Sequence, residues 1–144
     1  MGTLETVKIY LSGGMGNLSW EEQTKWRRNV SDAIEFNHDY EKKPIFFDPT
    51  RYYNFEEERQ KSEAEIMEFD LYNLRRSDLV IVNINDAKSL GTMSELILAH
   101  ELHIPVIGWV STDEPVHPWI ECCVTRMCDN VREVVEHVVE FYLN

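Results

Sequence analysis

The 144-residue sequence predicts an α/β fold in which a parallel sheet of about five strands lies between two layers of helices. Strand-like and helix-like segments alternate along the chain, which is typical of βαβ units. The run Leu79–Ile84 is apolar and rich in β-branched residues, as expected for a central parallel strand buried on both faces. Because crossovers between parallel strands are right-handed, we expect a doubly wound, flavodoxin-like or Rossmann-like three-layer sandwich, formed as one domain by residues 1–144.

The first half of the chain contains two predicted strands and two predicted helices. Apolar and polar residues alternate in Val7–Leu11, and Pro44–Phe47 is a short apolar run closed by an Asp-Pro pair. Ser19 begins the first helix, because Ser19-x-x-Glu22 fits a capping box and apolar residues follow at helical spacing. A charged helix is predicted over about residues 56–76. Its expected buried residues are Ile66, Phe69, Leu71 and Leu74.

The second half continues the alternation. A helix over Thr92–His103 is predicted after the central strand, and a strand over Ile104–Val110 follows it. The remaining predicted elements are a short helix over about residues 118–124, a weak strand over Met127–Val131 and an amphipathic helix over Val131–Leu143 with Val134, Val135, Val138, Phe141 and Tyr142 facing inward.

Composition limits the function. The net charge is −12 and basic residues are scattered, which argues against a nucleic acid polymer as partner but leaves a small nucleotide possible. The three cysteines, Cys122, Cys123 and Cys128, form neither a disulfide framework nor a zinc-type spacing, so we expect reduced thiols and no metal site. No stretch approaches the ~20 apolar residues that span a bilayer, so we expect no membrane association and a cytoplasmic protein.

A ligand site is expected where the strand order of an open parallel sheet reverses, beyond the carboxyl ends of the strands. In a flavodoxin-like order, the loops that meet there are Ser12–Gly16 and Asn85–Gly91. Tyr10, Ser89 and Glu95 therefore converge from separate parts of the chain. Glycines in these loops allow the backbone to approach a ligand closely. They are Gly13, Gly14, Gly16 and Gly91.

Both signals have a simpler interpretation. Thr92-x-x-Glu95 fits a capping box, in which Glu95 would serve only the helix start. The glycine-rich turn fits neither the dinucleotide fingerprint nor the P-loop, so NAD and ATP are not expected, and glycine is also common in plain tight turns.

Three segments in order resemble the nucleoside 2-deoxyribosyltransferase family, which includes the related 5′-nucleotide N-glycosidases. They are KIYLSGGM, DLYNLRRSDLVIVNI and SLGTMSELILAHELHIPVI. The resemblance covers nearly the whole chain and weakens after Trp109. It implies an enzyme that cleaves or transfers at the N-glycosidic bond of a (deoxy)nucleoside or its 5′-monophosphate, without a metal or organic cofactor.

The resemblance also implies roles for three residues. Glu95 matches the nucleophile that forms a glycosyl-enzyme ester, Asp70 matches the acid near the base, and Tyr10 matches the tyrosine that holds the nucleophile. The apolar neighbours of Asp70 favour partial burial and a raised pKa. Without the resemblance, Asp70 would be read as a surface carboxylate and Tyr10 as a packing residue.

The substrate-binding residues implied are Ser89, Gly91, Gly13, Gly14, Asp86, His117 and Trp119. The transferases carry an acidic residue at the position of Ser89, whereas the N-glycosidases carry a serine that contacts a 5′-phosphate. Asp86 is an alternative partner for the sugar hydroxyls. His117 and Trp119 match the segment that a neighbouring subunit contributes, which implies a homodimer or higher homo-oligomer with shared active sites; His117 is alternatively a simple helix-start residue.

The residues leave two questions open. They do not decide whether water or a second base resolves the ester, and a non-catalytic nucleotide-binding module on the same fold is the rival interpretation.

Overall fold

The structure is a computed structural model that describes residues 5–14, 19–37, 40–52, 62–86, 89–113 and 115–144. Their strands and helices alternate from the start. In chain order they are β1 (Thr6–Ser12), α1 (Trp20–Glu35), β2 (Lys43–Phe47), α2 (Glu63–Arg75), β3 (Leu79–Asn83), α3 (Leu90–Glu101), β4 (Val106–Trp109), α4 (Pro118–Cys123), β5 (Arg126–Cys128) and α5 (Val131–Tyr142). Short 3-10 turns at Pro49–Arg51 and Ile84–Asp86 follow β2 and β3.

The five strands form one sheet in the order β2-β1-β3-β4-β5, and every neighbouring pair is parallel. The predicted α/β fold is thereby confirmed. The order reverses between β1 and β3, which pair from Ile9–Leu79 to Ser12–Val82. The carboxyl ends of these two strands therefore flank the crevice in which ligands of such sheets bind.

Each face of the sheet has its own apolar core, because successive residues of a strand point to opposite faces. Ile9 and Leu11 of β1 pack with α1 and α5. Tyr10 packs on the other face, in the cluster that includes Leu74 of α2 and Leu96 of α3. All five side chains are fully buried, and each contributes roughly 1.5–3 kcal/mol to the free energy of folding.

The helix starts confirm one capping prediction and overturn another. Ser19 caps α1 as predicted, since its Oγ accepts from the Glu22 amide at 3.1 Å. The N-cap of α3, however, is Ser89, whose Oγ accepts from the Thr92 amide at 3.1 Å. The capping box that was the simpler interpretation of Thr92 and Glu95 is therefore wrong: Glu95 lies in the second turn of α3, too far along to reach the first amides.

Two apolar residues predicted to be buried are exposed. Phe69 of α2 lies at the open side of an aromatic cluster, and Phe141 of α5 lies beyond the buried stripe of that helix, which Val139 and the terminal Leu143 complete. The helix predicted from about residue 56 is described only from Glu63, with Ser62 as its cap; its predicted start lies outside the described residues. Within the described ranges, no helix has the length and apolarity to cross a bilayer.

Candidate active site

The carboxyl of Glu95 reaches from α3 across the crevice to the end of β1. The Tyr10 hydroxyl donates to Glu95 Oε2, and Ser12 Oγ donates to Oε1 at 3.2 Å. Tyr10 and Ser12 share one face of β1 because they are two residues apart in a strand. Both oxygens of Glu95 therefore accept hydrogen bonds from a single rigid strand.

Tyr10 is a fixed, neutral donor. Its ring is fully buried and stacks on Phe47 of the neighbouring strand, with ring centres 5.2 Å apart. Burial, followed by the negative charges of Glu95 and Asp70, raises the pKa of Tyr10 well above its ordinary value. The phenol proton consequently stays on Tyr10 at physiological pH and points at Glu95.

Asp70 faces the same region from α2, in a different chemical setting. Its Oδ1 is buried and accepts no hydrogen bond from any described residue. Burial and, to a smaller extent, the negative charge of Glu95 raise the pKa of Asp70, Arg27 lowers it, and the net result is a pKa of about 7. Asp70 is therefore a carboxyl that readily holds a proton near neutral pH.

Glu95 also has a pKa raised to about 7 by burial, but the hydrogen bonds of Tyr10 and Ser12 and the charge of Arg27 act to lower it. The two donors therefore favour the ionised form of Glu95, and the negative charge of Glu95 in turn raises the pKa of Asp70. Because Glu95 accepts two hydrogen bonds and Asp70 Oδ1 accepts none, the favoured state has Glu95 ionised and Asp70 protonated. That is the division of labour that a nucleophile and a general acid require.

A cluster of three aromatic rings adjoins Tyr10 and includes Phe69, which precedes Asp70 in the chain. Phe47, Tyr52 and Phe69 contact one another with ring centres 5.1–5.7 Å apart, and Phe47 and Tyr52 are stacked. We name these three residues the aromatic platform. Tyr52 is 48% exposed and Phe69 is 36% exposed, so the platform offers ring surface to solvent next to the carboxyl pair.

The predicted glycines occupy two different environments. Gly13 and Gly14 follow β1 and are buried. A Cβ on Gly13 would lie 2.8 Å from Trp26 Cζ2, so close packing against α1 explains this glycine. Gly91, in the first turn of α3, is exposed and has nothing within 4 Å of a built Cβ. Packing therefore gives no reason for glycine at position 91, and the predicted close approach of a ligand there remains a prediction.

Ser89 is engaged in the start of α3. Besides capping the Thr92 amide, its Oγ lies 2.8 Å from Thr92 Oγ1. A ligand at this position would meet a hydroxyl that is already oriented by the helix. Asp86 is the last residue of the 3-10 turn after β3. The roles predicted for Ser89 and Asp86 remain predictions.

His117 and Trp119 lie apart from the carboxyl pair. They line a groove of about 1150 Å³ between α3 and α4, which none of Tyr10, Asp70 and Glu95 lines. His117 caps α4, since its Nδ1 accepts from the Trp119 amide at 3.1 Å. Within one chain, the structure thus brings together Tyr10, Asp70 and Glu95 and leaves His117 and Trp119 outside.

The sequence reasoning missed three polar residues of this region: Ser12, Arg27 and Asp48. Ser12 was detectable, because it alternates with Tyr10 on β1. Arg27 lies at helical spacing from the buried Gln23 and Val30, yet an arginine pair reads as surface charge in a sequence. Among the described residues, no group of three or more His, Cys, Asp or Glu side chains is arranged to hold a metal ion.

The fold is an α/β sandwich with two carboxyls in opposed hydrogen-bonding environments at its switch point, and acid-assisted nucleophilic substitution requires two such carboxyls. The nucleoside 2-deoxyribosyltransferase family model matches residues 9–140. The chain belongs to this family, and the prediction of an enzyme acting at the N-glycosidic bond of nucleosides or nucleotides is confirmed at that level.

Solved structures agree in fold. A 2-deoxyribosyltransferase from Bacillus psychrosaccharolyticus is 19% identical, with a TM-score of 0.66 and 90% of each chain covered. The CMP N-glycosidase BcmB of Clostridium botulinum is 12% identical, with a TM-score of 0.56, 93% of this chain and 99% of that chain covered. A conserved protein from Enterococcus faecalis V583 is 12% identical, with a TM-score of 0.74 and 94% and 98% covered. No curated protein sequence matches significantly.

Proposed function

We propose that the protein cleaves the N-glycosidic bond of a (deoxy)nucleoside or its 5′-monophosphate through a covalent ester on Glu95. The observation that carries this proposal is the pair of hydrogen bonds from Tyr10 and Ser12 to Glu95, opposite an Asp70 oxygen without a donor. This arrangement favours one ionised and one protonated carboxyl at neutral pH, which the reaction needs.

In the first step, a Glu95 carboxylate oxygen attacks the anomeric carbon of the sugar. The carbon–nitrogen bond to the base breaks, its electron pair moves to the base nitrogen, and the Asp70 proton is transferred to the leaving base. The products are a glycosyl ester of Glu95, the free base and an ionised Asp70. Tyr10 and Ser12 hold the attacking carboxylate in place.

In the second step, an acceptor attacks the same carbon and Glu95 leaves as a carboxylate. If the acceptor is a second base, the enzyme is a transferase; if it is water, the enzyme is a hydrolase. In both cases the ionised Asp70 takes the acceptor's proton, which restores the starting state.

The aromatic platform supports a nucleobase as the leaving group. Tyr52 and Phe69 expose ring surface beside the acid, and stacking of a base on an aromatic ring contributes roughly 1–3 kcal/mol to binding. A stacked base would present its ring nitrogen toward Asp70.

A 5′-monophosphate substrate is favoured by the start of α3. Ser89 fixes the first turn, and Gly91 leaves open space above backbone amides that can approach an anion. This makes a 5′-nucleotide N-glycosidase the alternative to a nucleoside transferase. We expect a hydroxyl at position 89 to tolerate the phosphate, which a carboxylate would repel.

We further propose that the active form is a homo-oligomer in the cytoplasm. The groove between α3 and α4 exposes Leu90 at 87% and Trp119 at 64%, and such apolar exposure is typical of a protein interface. A second copy seated there would bury Trp119 and bring His117 near an active site.

The test is incubation of the purified protein with deoxynucleosides and deoxynucleoside 5′-monophosphates, each with and without a second base. Chromatography separates released base, free sugar and exchanged nucleoside. Release of base without an acceptor identifies the hydrolase, and exchange only with an acceptor identifies the transferase. Nucleotide binding with no turnover of any member of the panel would instead support the non-catalytic module.

A further inference from the structure

Arg27 is a fully buried charge on α1, at the side of the sheet opposite α3. Its guanidinium donates to three backbone carbonyls: Nη1 to Gln23 at 2.7 Å, Nη2 to Gly13 at 3.1 Å and Nε to Leu11 at 3.3 Å. Burying a guanidinium is costly unless its donors are paired. Two of these hydrogen bonds go to the backbone of the active-site strand and turn, at Leu11 and Gly13.

The two carbonyls lie on either side of Ser12. Pairing of β1 with β2 ends at Tyr10–Phe47, so Leu11 and Gly13 extend past the last residue of β2. Arg27 takes these carbonyls where β2 offers none. It therefore fixes the backbone on both sides of the residue that donates to Glu95 Oε1.

Gly13 packs closely against the side chains of Trp26 and Arg27. Its built Cβ would lie 2.8 Å from Trp26 Cζ2 and 3.5 Å from Arg27 Nη2. The turn therefore lies directly on the side chains of α1, and a displaced guanidinium would release it.

The charge of Arg27 also acts on every titratable group of the site. The groups around it are Asp48 after β2, Glu95 of α3, Tyr10 of β1 and Asp70 of α2. Asp48 is the nearest, with Oδ1 at 3.8 Å from Nε, and is itself fixed by the Thr50 amide at 2.9 Å. The guanidinium charge thus acts both on one structural carboxylate and on the two carboxyls assigned to the reaction.

We propose that Arg27 is a positioning residue, which holds Ser12 and the glycine turn in their reactive geometry and whose charge sets the pH range in which the Glu95–Asp70 pair works. The expected effect on kinetics rests on the proposed function, because it assumes that Glu95 and Asp70 carry out base release. Arg27 acts through Ser12 and through the field at the two carboxyls, with no contact to substrate.

The experiment compares Arg27→Met, Arg27→Lys and the control Arg28→Met. Arg28 is exposed on the same helix, so its variant removes equal charge and length without touching the site. The measurements are the pH dependence of kcat/KM for base release, and the titration of the Glu95 and Asp70 carboxyl carbons by NMR in the substrate-free proteins.

Arg27→Met is expected to move the whole pH profile upward by roughly one pH unit, because loss of a nearby positive charge raises the pKa of both carboxyls. Arg27→Lys keeps the charge but loses the planar set of N–H donors that holds the two carbonyls. Its pH optimum should therefore stay in place while kcat falls on the order of tenfold to hundredfold. Arg28→Met should match the wild type. If Arg27→Met lowers kcat/KM without moving the pH optimum, Arg27 serves only the stability of the fold and the inference is overturned.

Asp48→Asn keeps the test valid if Arg27→Met does not fold. Neutralising Asp48 leaves the charge of Arg27 less compensated, so the profile and both NMR titrations should move downward; an unchanged or upward profile contradicts the inference. The NMR titration separates the two proposals. Upward-shifted carboxyls in Arg27→Met with no turnover by the wild type would refute the proposed function alone, and unshifted carboxyls in an active enzyme would refute the inference alone.

Discussion

Glu95 and its two donors are the smallest unit that explains the site. The residue scale was only partly predictable: the resemblance gave Glu95, Asp70 and Tyr10, and the structure brings these three together. It did not give Ser12, although the alternation with Tyr10 along one strand pointed to it, and it did not give Arg27, because an arginine beside another arginine reads as surface charge in a sequence. Their importance comes from what they contact across 83 and 14 residues of chain.

Glu95→Ala should abolish base release while leaving the fold intact. The variant removes the nucleophile, and losses on the order of 10⁴-fold or more are typical when such a group is deleted. Because Ser89 and not Glu95 serves the start of α3, the helix keeps its cap. Kinetics and far-ultraviolet circular dichroism check both parts. Turnover like that of the wild type, with an unchanged spectrum, would refute the mechanism.

Asp70→Asn should lose activity and gain stability at high pH. The folded protein raises the pKa of Asp70 from 3.8 to about 7, so the acid binds its proton more tightly when folded. Its contribution to stability is therefore complete below pH ~4 and is lost as pH rises through about 7.

The measurement is urea unfolding at pH 4 and pH 8. Asp70→Asn should exceed the wild type in unfolding midpoint at pH 8 and match it at pH 4. Glu68→Gln, at an exposed position of the same helix, is the control and should change neither midpoint. Equal midpoints of Asp70→Asn and wild type at pH 8 would contradict the raised pKa.

At the scale of elements, the order and type of strands and helices were predictable, because patterns of period 2 and 3.6 survive in a single sequence. The start of α3 was not. Ser89 and Thr92 are both good caps followed by helix-forming residues, and only the backbone geometry decides between them. The exposure of Phe69 and Phe141 was not predicted for a related reason: an apolar residue at helical spacing is buried only if another element packs against it.

Ser89→Asp should reverse the preference between nucleotides and nucleosides. Aspartate caps a helix as well as serine does, so α3 should keep its start. Its charge repels a 5′-phosphate and can accept from a sugar hydroxyl instead. We expect the wild type to favour the 5′-monophosphate about ten- to hundredfold in kcat/KM, from a charge-assisted hydrogen bond of ~1.5–3 kcal/mol. Equal rates on both substrate classes in both proteins would show that Ser89 does not read the 5′ position.

Gly13→Ala and Gly91→Ala form a matched pair. Alanine at position 13 clashes with Trp26 and should cost about 1–3 kcal/mol of unfolding free energy. Alanine at position 91 meets open space and should stabilise α3 by up to about 1 kcal/mol. Thermal unfolding checks both signs. Gly91→Ala should also raise KM for the nucleotide, because the methyl group would obstruct a ligand at this turn. An unchanged KM would show that no ligand approaches the backbone at Gly91.

At the scale of the whole molecule, the proposed homo-oligomer would supply each active site with residues that its own chain holds elsewhere. His117 and Trp119 lie on the groove between α3 and α4, away from the carboxyl pair of their own chain. Trp119→Glu should therefore convert an oligomer into an inactive monomer, because a charge cannot be buried at the interface. Phe36→Glu is the control. Phe36 is 74% exposed and follows α1 near the β2 edge of the sheet, away from the groove between α3 and α4.

Light scattering and base release, measured on the same samples, check this prediction. The control should keep both mass and activity. A wild type that is monomeric and fully active would rule out a shared site and leave the groove without a role in catalysis.

The aromatic platform also shapes how affinity depends on temperature. Tyr52 and Phe69 are hydrated while the site is empty, and a stacked base would release that water. Burial of apolar surface lowers the heat capacity of the complex. The enthalpy of base binding should therefore become steadily more favourable on warming, and the entropy correspondingly less so. Titration calorimetry at several temperatures would show this as a negative slope that is reduced in Phe69→Ala.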